Sequence, residues 1–325
     1  LSVSRTPMSV SGYLGLQTRQ HSACSVNLAG ADAATAATSP SQAQRSPMPQ
    51  LLKLILWPVL LFDVLLWVIL MPIVCAAVWC VGRLALLVAG KPRPIFLDTP
   101  WETLQSWFLV FHGIRVVDAD GAHTWRLPNV EAIEGAVLTN HRSWGDFVFD
   151  PAMAFAPVVA RTAAVAATLV AGVIGLACGK VVMINRGKTS RAELRDRCAK
   201  LRRYLIYPEG TRRANLADAD EPGALRPGGL KNVYESGHAA HIVVTVNKEC
   251  IWNEKKGVVS CRTTLYRARC PKPVLPSEHA TFDGFVAAVE DKWKETWARA
   301  YALRHSHEVA ASAPSSSDNE SVSLV

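Results

Sequence analysis

The side chains able to do chemistry concentrate in Asn140-His141-Arg142-Ser143-Trp144-Gly145-Asp146. An imidazole with a carboxylate against one ring nitrogen is a general base. The acid fixes the tautomer and stabilises the imidazolium formed when the other nitrogen takes a proton. Of the nine histidines, His141 alone has an Asp or Glu five positions on. Five is a poor spacing on one helix, where facing side chains sit three or four apart. It works where His141 lies in a loop and Asp146 opens the next helix, reaching back. The run Ala136-Val137-Leu138-Thr139 reads as the buried strand that delivers the histidine. The competing reading is local: Ser143-Trp144-Gly145-Asp146 also fits a helix capping box, in which Asp146 only covers the Ser143 amide.

Three blocks follow in order. Val182-Met183-Ile184-Asn185-Arg186 reads as a strand delivering an arginine. Tyr207-Pro208-Glu209-Gly210-Thr211-Arg212 reads as a strand broken at proline into an acid, a glycine and an arginine. Gly210 lets backbone approach a ligand closely, and Arg212 can grip a phosphate through two parallel hydrogen bonds. Ile242-Val243-Val244-Thr245-Val246 reads as a third strand. Taken singly, such arginines are more often surface charges. Gathered at strand ends beside a base, they make an anion site, which Lys231 could also reach. The serine-hydrolase elbow G-x-S-x-G is missing, since Ser143 lacks its first glycine.

These blocks resemble the glycerolipid acyltransferase family, whose best-known members act on lysophosphatidic acid. The resemblance covers roughly residues 100 to 250. Asn140-His141-x4-Asp146 matches the first family block and Pro208-Glu209-Gly210-Thr211-Arg212 the third, which is the more specific. Asn185 departs from the acid usual before Arg186, and Thr245 stands where a proline is usual; Arg161 resembles a basic residue that members carry after the first block. The resemblance implies transfer of a fatty acyl group from acyl-CoA to the hydroxyl of lysophosphatidic acid, forming phosphatidic acid. It implies His141 and Asp146 as the catalytic pair, with Arg186, Glu209, Gly210, Thr211 and Arg212 binding substrate. The acceptor would supply the nucleophile, with acyl-CoA as co-substrate and neither metal nor other cofactor. Expected partners are acyl-CoA, a lysophospholipid and membrane lipids. Another acceptor (lysocardiolipin, lysophosphatidylinositol, lysophosphatidylcholine or glycerol-3-phosphate) stays open. So does a membrane-anchored lipid-binding protein without activity, although that reading predicts erosion of His141, Asp146 or Glu209, and all three are present.

The rest of the chain must position these residues. Half of the 325 residues are hydrophobic and 19% are charged, with a net charge of +8 that suits an anionic partner. Nucleic acid is the weaker option, because neither zinc-finger spacing nor an RNP-like motif occurs. The eight cysteines include no CxxC pair and read as reduced thiols. Residues 51–90 are almost entirely apolar, interrupted by Lys53, Asp63 and Arg83. About twenty apolar residues cross a bilayer, so forty allow a helix hairpin bent at Pro72, with basic residues flanking both ends. The alternative is one spanning helix and one interfacial helix. The expected location is a membrane: the endoplasmic reticulum facing the cytosol, or a plastid or mitochondrial membrane.

From about residue 100 the pattern becomes α/β, a mixed sheet flanked by helices. Strands are expected at 114–117, 136–139, 181–184, 205–207 and 242–246. Helices are expected over 190–204 and from Gly229 to Glu235. The Ala- and Val-rich stretch 152–178 reads as a buried or membrane-grazing helical segment. Phe285, Val289, Trp293 and Trp297 recur at helical spacing and read as core. The expected organisation is thus a disordered or targeting segment (1–50), a membrane hairpin (51–90), an α/β domain (91–305) and a disordered tail (306–325).

Overall fold

The structure, a computed structural model, describes residues 50–89, 99–121, 123–185, 187–212, 222–253, 258–259 and 262–312. The expected segment 1–50, apart from Gln50, and residues 313–325 of the tail lie outside the described residues.

The chain enters through α1 (Gln50–Leu65) and α2 (Met71–Val88), joined by the π-helical turn Leu66–Leu70. Helical backbone is unbroken through the junction: Leu65, Leu70 and Met71 all hold right-handed helical angles. The hairpin expected over residues 51–90 is therefore one long helix. The reason lies at Pro72, whose ring removes one backbone donor and crowds the preceding turn. The turn widens to absorb it, and the Met71 N–H reaches back five residues to Leu66 O. Leu56–Val88, 33 residues, is long and apolar enough to cross a membrane. At 1.5 Å per residue it spans about 50 Å, enough for one pass and not two.

One stripe of this helix is committed to the protein. Leu60, Asp63, Val64, Trp67, Val68 and Cys75 are buried against the domain, while Phe62, Val81, Leu84, Leu87 and Val88 are exposed. The Asp63 carboxylate accepts from Trp252 Nε1 at 2.7 Å and lies 3.1 Å from His112 Nε2. That polar clasp fixes the register of α1 on the domain.

The next elements are α3 (Pro100–Phe111), β1 (Arg115–Asp118), β2 (Gly135–Thr139), α4 (Asp146–Ala154) and β3 (Val158–Arg161). Then come α5 (Thr162–Ala167), α6 (Leu169–Ala177), β4 (Val181–Ile184), α7 (Arg191–Ala199), β5 (Arg203–Ile206) and α8 (Pro227–Glu235). The chain continues with β6 (Ala240–Val246), β7 (Trp252–Asn253), β8 (Val258–Val259), β9 (Thr264–Arg269) and α9 (Phe282–Ser312). Helix α9 thus runs past the boundary expected at residue 305. Where propensity alone would be indifferent, caps set the starts: the Thr99 hydroxyl accepts from the Glu102 N–H before Pro100, and the Ser190 hydroxyl from the Glu193 N–H.

Seven strands form one mixed sheet in the order β1-β9-β6-β2-β5-β3-β4, in which only the β6–β9 pair is antiparallel. Strand β2 sits at its centre with all five residues buried. Successive residues feed opposite layers. Val137, Leu205 and Val243 pack toward α3, α4 and the entry helix, whereas Leu138, Ile206 and Val244 pack toward α8 and α9. The α9 stripe Phe285, Val289, Trp293 and Trp297 lies in that second layer. Strands β2, β3, β5 and β6 are parallel, so their carboxyl ends open on one edge of the sheet.

Replacing Asp63 with alanine leaves the His112 and Trp252 donors buried without their acceptor. The expected result is a loss of about 1–3 kcal/mol in stability, read as earlier thermal unfolding in detergent; an unchanged transition would mean that the clasp holds nothing.

Candidate active site

Each parallel strand delivers a different part of the site to that edge. Strand β2 ends at Thr139, and Asn140 continues its pairing with a side chain in place of backbone. Asn140 Oδ1 accepts from the Thr245 N–H and Asn140 Nδ2 donates to Thr245 O, both at 2.9 Å. A proline at 245 would lack that donor, so the departure at Thr245 has a structural counterpart. The chain leaves the sheet there and His141 enters the loop.

His141 and Asp146 meet as the spacing predicts: Asp146 opens α4 and reaches back, with Nδ1 of His141 at 2.8 Å from Oδ2. An ionised carboxylate only accepts, so Nδ1 carries the hydrogen and Nε2 is left for a ligand. The capping reading holds as well, because the same Oδ2 accepts from the backbone N–H groups of Arg142 and, at 3.0 Å, of Ser143. Asp146 is fully buried and serves both purposes.

The imidazole is held on its other sides too. The Tyr207 ring stacks on it at 4.2 Å with 18° between planes, and the Tyr207 hydroxyl donates to the Asp146 carbonyl at 3.1 Å. The His141 N–H donates to Glu209 Oε2 at 2.8 Å. Burial pushes the His141 pKa below 6.5; Asp146 pulls it up, and Lys248 and Arg212 push it further down. Burial would raise the Asp146 carboxyl, but the Lys248 ammonium and His141 outweigh it and hold the acid below its ordinary 3.8.

His141 opens into a cavity of about 640 Å³. Its apolar wall is built by Val64, Trp67 and Val68 of the entry helix, Trp101 and Leu104 of α3, and Trp252. Among the described residues its cations are Arg161, Arg212 and Arg226. They gather around Gly210: Arg161 Nη2 lies 3.5 Å from the Gly210 carbonyl, and Arg212 stands over the Trp144 ring at 5.3 Å. Gly210 has φ +68°, and a Cβ there would meet the Arg226 side chain at 2.9 Å. Glycine is needed on both counts.

Of the residues expected to bind substrate, Gly210, Thr211 and Arg212 line the cavity. Glu209 is buried under the His141 backbone, where its Oε2 accepts from the His141 N–H, and it does not line the cavity. Arg186 lies outside the described residues. Lys231 turns away, with Glu235 at 3.8 Å and the Phe282 ring at 5.9 Å. Arg226, Tyr207 and Lys248 gave no separate signal, since each looks ordinary until the strand ends converge. Among the described residues no group of three or more His, Cys, Asp or Glu could hold a metal ion.

No family model matches the sequence, and no curated protein matches it. Among solved structures the chain is similar to the crystal structure of the 1-acyl-sn-glycerophosphate (LPA) acyltransferase PlsC from Thermotoga maritima, at 13% identity and a TM-score of 0.49, covering 82% of this chain and 99% of that one.

Because Asp146 Oδ2 serves His141 and two backbone amides while Oδ1 faces the Ser143 hydroxyl and the Lys248 ammonium, Asp146→Asn should lose stability: the amide oxygen can meet one set and its NH2 then faces the other. The expected cost is about 1–3 kcal/mol, measured by thermal unfolding. Unchanged stability would show that the capping bonds are dispensable.

Proposed function

We propose that this chain transfers a fatty acyl group from acyl-CoA to the free hydroxyl of lysophosphatidic acid at a membrane surface, releasing phosphatidic acid and CoA. The observation that carries the reading is an acid-held histidine opening into a cavity with an apolar wall and three arginines. A bare phosphate monoester suits three guanidinium groups, because it carries up to two charges and presents three oxygens to their forks. A choline or ethanolamine headgroup would bring its own cation among them. The apolar wall suits an acyl chain, whose burial is favourable by about 0.8 kcal/mol per methylene.

An alcohol is a poor nucleophile near neutral pH. In the proposed step, His141 Nε2 takes the hydroxyl proton as the oxygen attacks the thioester carbonyl. Asp146 stabilises the imidazolium. Collapse of the tetrahedral intermediate breaks the carbon–sulfur bond, and the proton passes from Nε2 to the leaving thiolate. The nucleophile comes from the acceptor, so an acyl-enzyme is not required. Arg161, Arg212 and Arg226 hold the phosphate, with Arg186 assigned to the same task from its place in sequence. Thr211 and Gly210 border the acceptor, and Glu209 orients the His141 backbone.

The burial of His141 gives the sign of the pH dependence. The base works unprotonated and its pKa lies below 6.5, so kcat/KM should hold at neutral pH and fall only below that value. His141→Ala should lower transfer by about a hundredfold or more, the usual contribution of a positioned base. Activity within tenfold of wild type would remove His141 from the mechanism.

The acceptor is decided by kcat/KM with labelled oleoyl-CoA across lysophosphatidic acid, lysophosphatidylcholine, lysophosphatidylinositol and glycerol-3-phosphate. Lysophosphatidic acid should lead, and Arg212→Ala should mainly raise its KM, with Arg212→Lys recovering only part. Preference for lysophosphatidylcholine would overturn the phosphate clamp and leave acyl transfer standing. Absence of product with every acceptor would leave a lipid-binding protein.

A further inference from the structure

Beneath the site lies a lysine that the proposed chemistry does not use. Lys248 follows β6, just after Asn247 turns the chain at φ +73°, and its side chain is fully buried. Burying an ammonium costs several kcal/mol unless it is fully engaged. Here Nζ donates to the Asn140 carbonyl and, at 2.8 Å, to Asp150 Oδ2, and it lies 3.8 Å from Asp146 Oδ1. It also sits 6.0 Å from the centroid of the Tyr207 ring. Asn140 precedes His141, Asp146 holds its Nδ1, and Tyr207 stacks on its face. One ammonium therefore lies beside three of the groups that hold the histidine.

We propose that Lys248 is the positioning residue of the site: its charge keeps the His141–Asp146 pair ready to accept a proton, and Asp150 on the next turn of α4 tempers that charge. This deepens the reading of His141 as the general base and rests on it. The bland alternative is that Lys248 merely neutralises Asp150. Two observations weigh against it. The ammonium is shared between two carboxylates and the backbone at the histidine, so Asp150 is one partner of three. Asp150 is also poorly suited to be the ion that matters, because burial pushes its carboxyl up to about 7, despite Lys248. Asp146 is the acid that Lys248 keeps ionised.

The charged and titratable groups around the pair are Asp146 and Asp150 from α4, and Arg142 from the histidine loop. Tyr207, Glu209 and Arg212 face it from the segment after β5, and Lys248 and Glu249 from the turn after β6. Removing the Lys248 cation strengthens the pair's hold on a proton, so the acid limb of the pH–rate profile moves to higher pH. Removing Asp150 does the reverse but by less, because burial pushes its carboxyl up to about 7 and leaves it partly protonated on that limb. A packing role moves neither limb.

The test uses the full-length protein in detergent. Lys248→Gln keeps a donor for Asn140 and discards the charge; its acid limb in kcat/KM should move up by about one unit, so that transfer low on that limb falls about tenfold while transfer at pH 8.5 is nearly unchanged. KM for the acceptor should stay within about twofold. Asp150→Asn, close in shape, should move the limb to lower pH. The His141 ring resonance, titrated by NMR, should shift in the same two directions, and it reads the pair whether or not the protein turns over. A wild type without acyl transfer would therefore defeat the proposed function but not this inference. Lowered rates with unmoved limbs and an unmoved resonance would overturn it. Should Lys248→Gln fail to fold, the Asp150→Asn titration decides alone: an acid shift supports the proposal and an unmoved pKa rejects it.

Discussion

A carboxylate sealed inside the protein is the constraint on which the rest of the site depends. Asp146 has no contact with water, and an isolated ion there would cost several kcal/mol. Its two oxygens must therefore be met by protein donors from more than one direction. The histidine loop gives two amides, the imidazole gives a third donor, the Ser143 hydroxyl a fourth at 3.3 Å, and an ammonium arrives from the turn after β6. Parallel strands make this possible. Their carboxyl ends lie side by side, so residues about a hundred positions apart, such as Asn140 and Lys248, become neighbours.

The legible part of the sequence was the part carried by short spacings. His141 and Asp146 are five apart, the Pro208–Arg212 run is contiguous, and α9 announces its buried face through four large side chains at helical period. Strands β2, β4 and β6 were also readable from their β-branched content, within a residue or two. Two strands of the seven-stranded sheet were not. Strand β3 lies inside an Ala- and Val-rich stretch, and its Val158-Val159-Ala160 run is apolar at successive positions, so no polar alternation sets it apart from helix even though its burial alternates. Strand β9 reads Thr-Leu-Tyr-Arg-Ala-Arg, which resembles a solvated surface. Arg267 is in fact fully buried, paired with Asp118 at 2.7 Å and donating to backbone carbonyls.

The same limit explains the site residues whose orientation the sequence did not give. Glu209 belongs to a motif, and a motif says that a residue is needed without saying which way it faces; here it turns inward to a backbone amide. Lys248 and Asp150 have no spacing signature, because each acquires meaning only through contacts across the sheet. The long apolar segment was read correctly in composition and wrongly in path. Hydropathy counts residues, and whether a proline folds a helix back or only widens one turn depends on what that turn packs against.

The entry helix has a consequence for how the protein can be handled. Three of its side chains, Val64, Trp67 and Val68, are one wall of the cavity, so the long apolar helix is also part of the vessel beside His141. A chain trimmed to start at Thr99, the usual route to a soluble sample, would keep every strand and the whole histidine loop. In place of a chamber it would present a trough open to water along its greasy side, with Trp252 and Phe108 stripped of their cover. Silence from such a sample would report a missing wall and say nothing about His141 and Asp146.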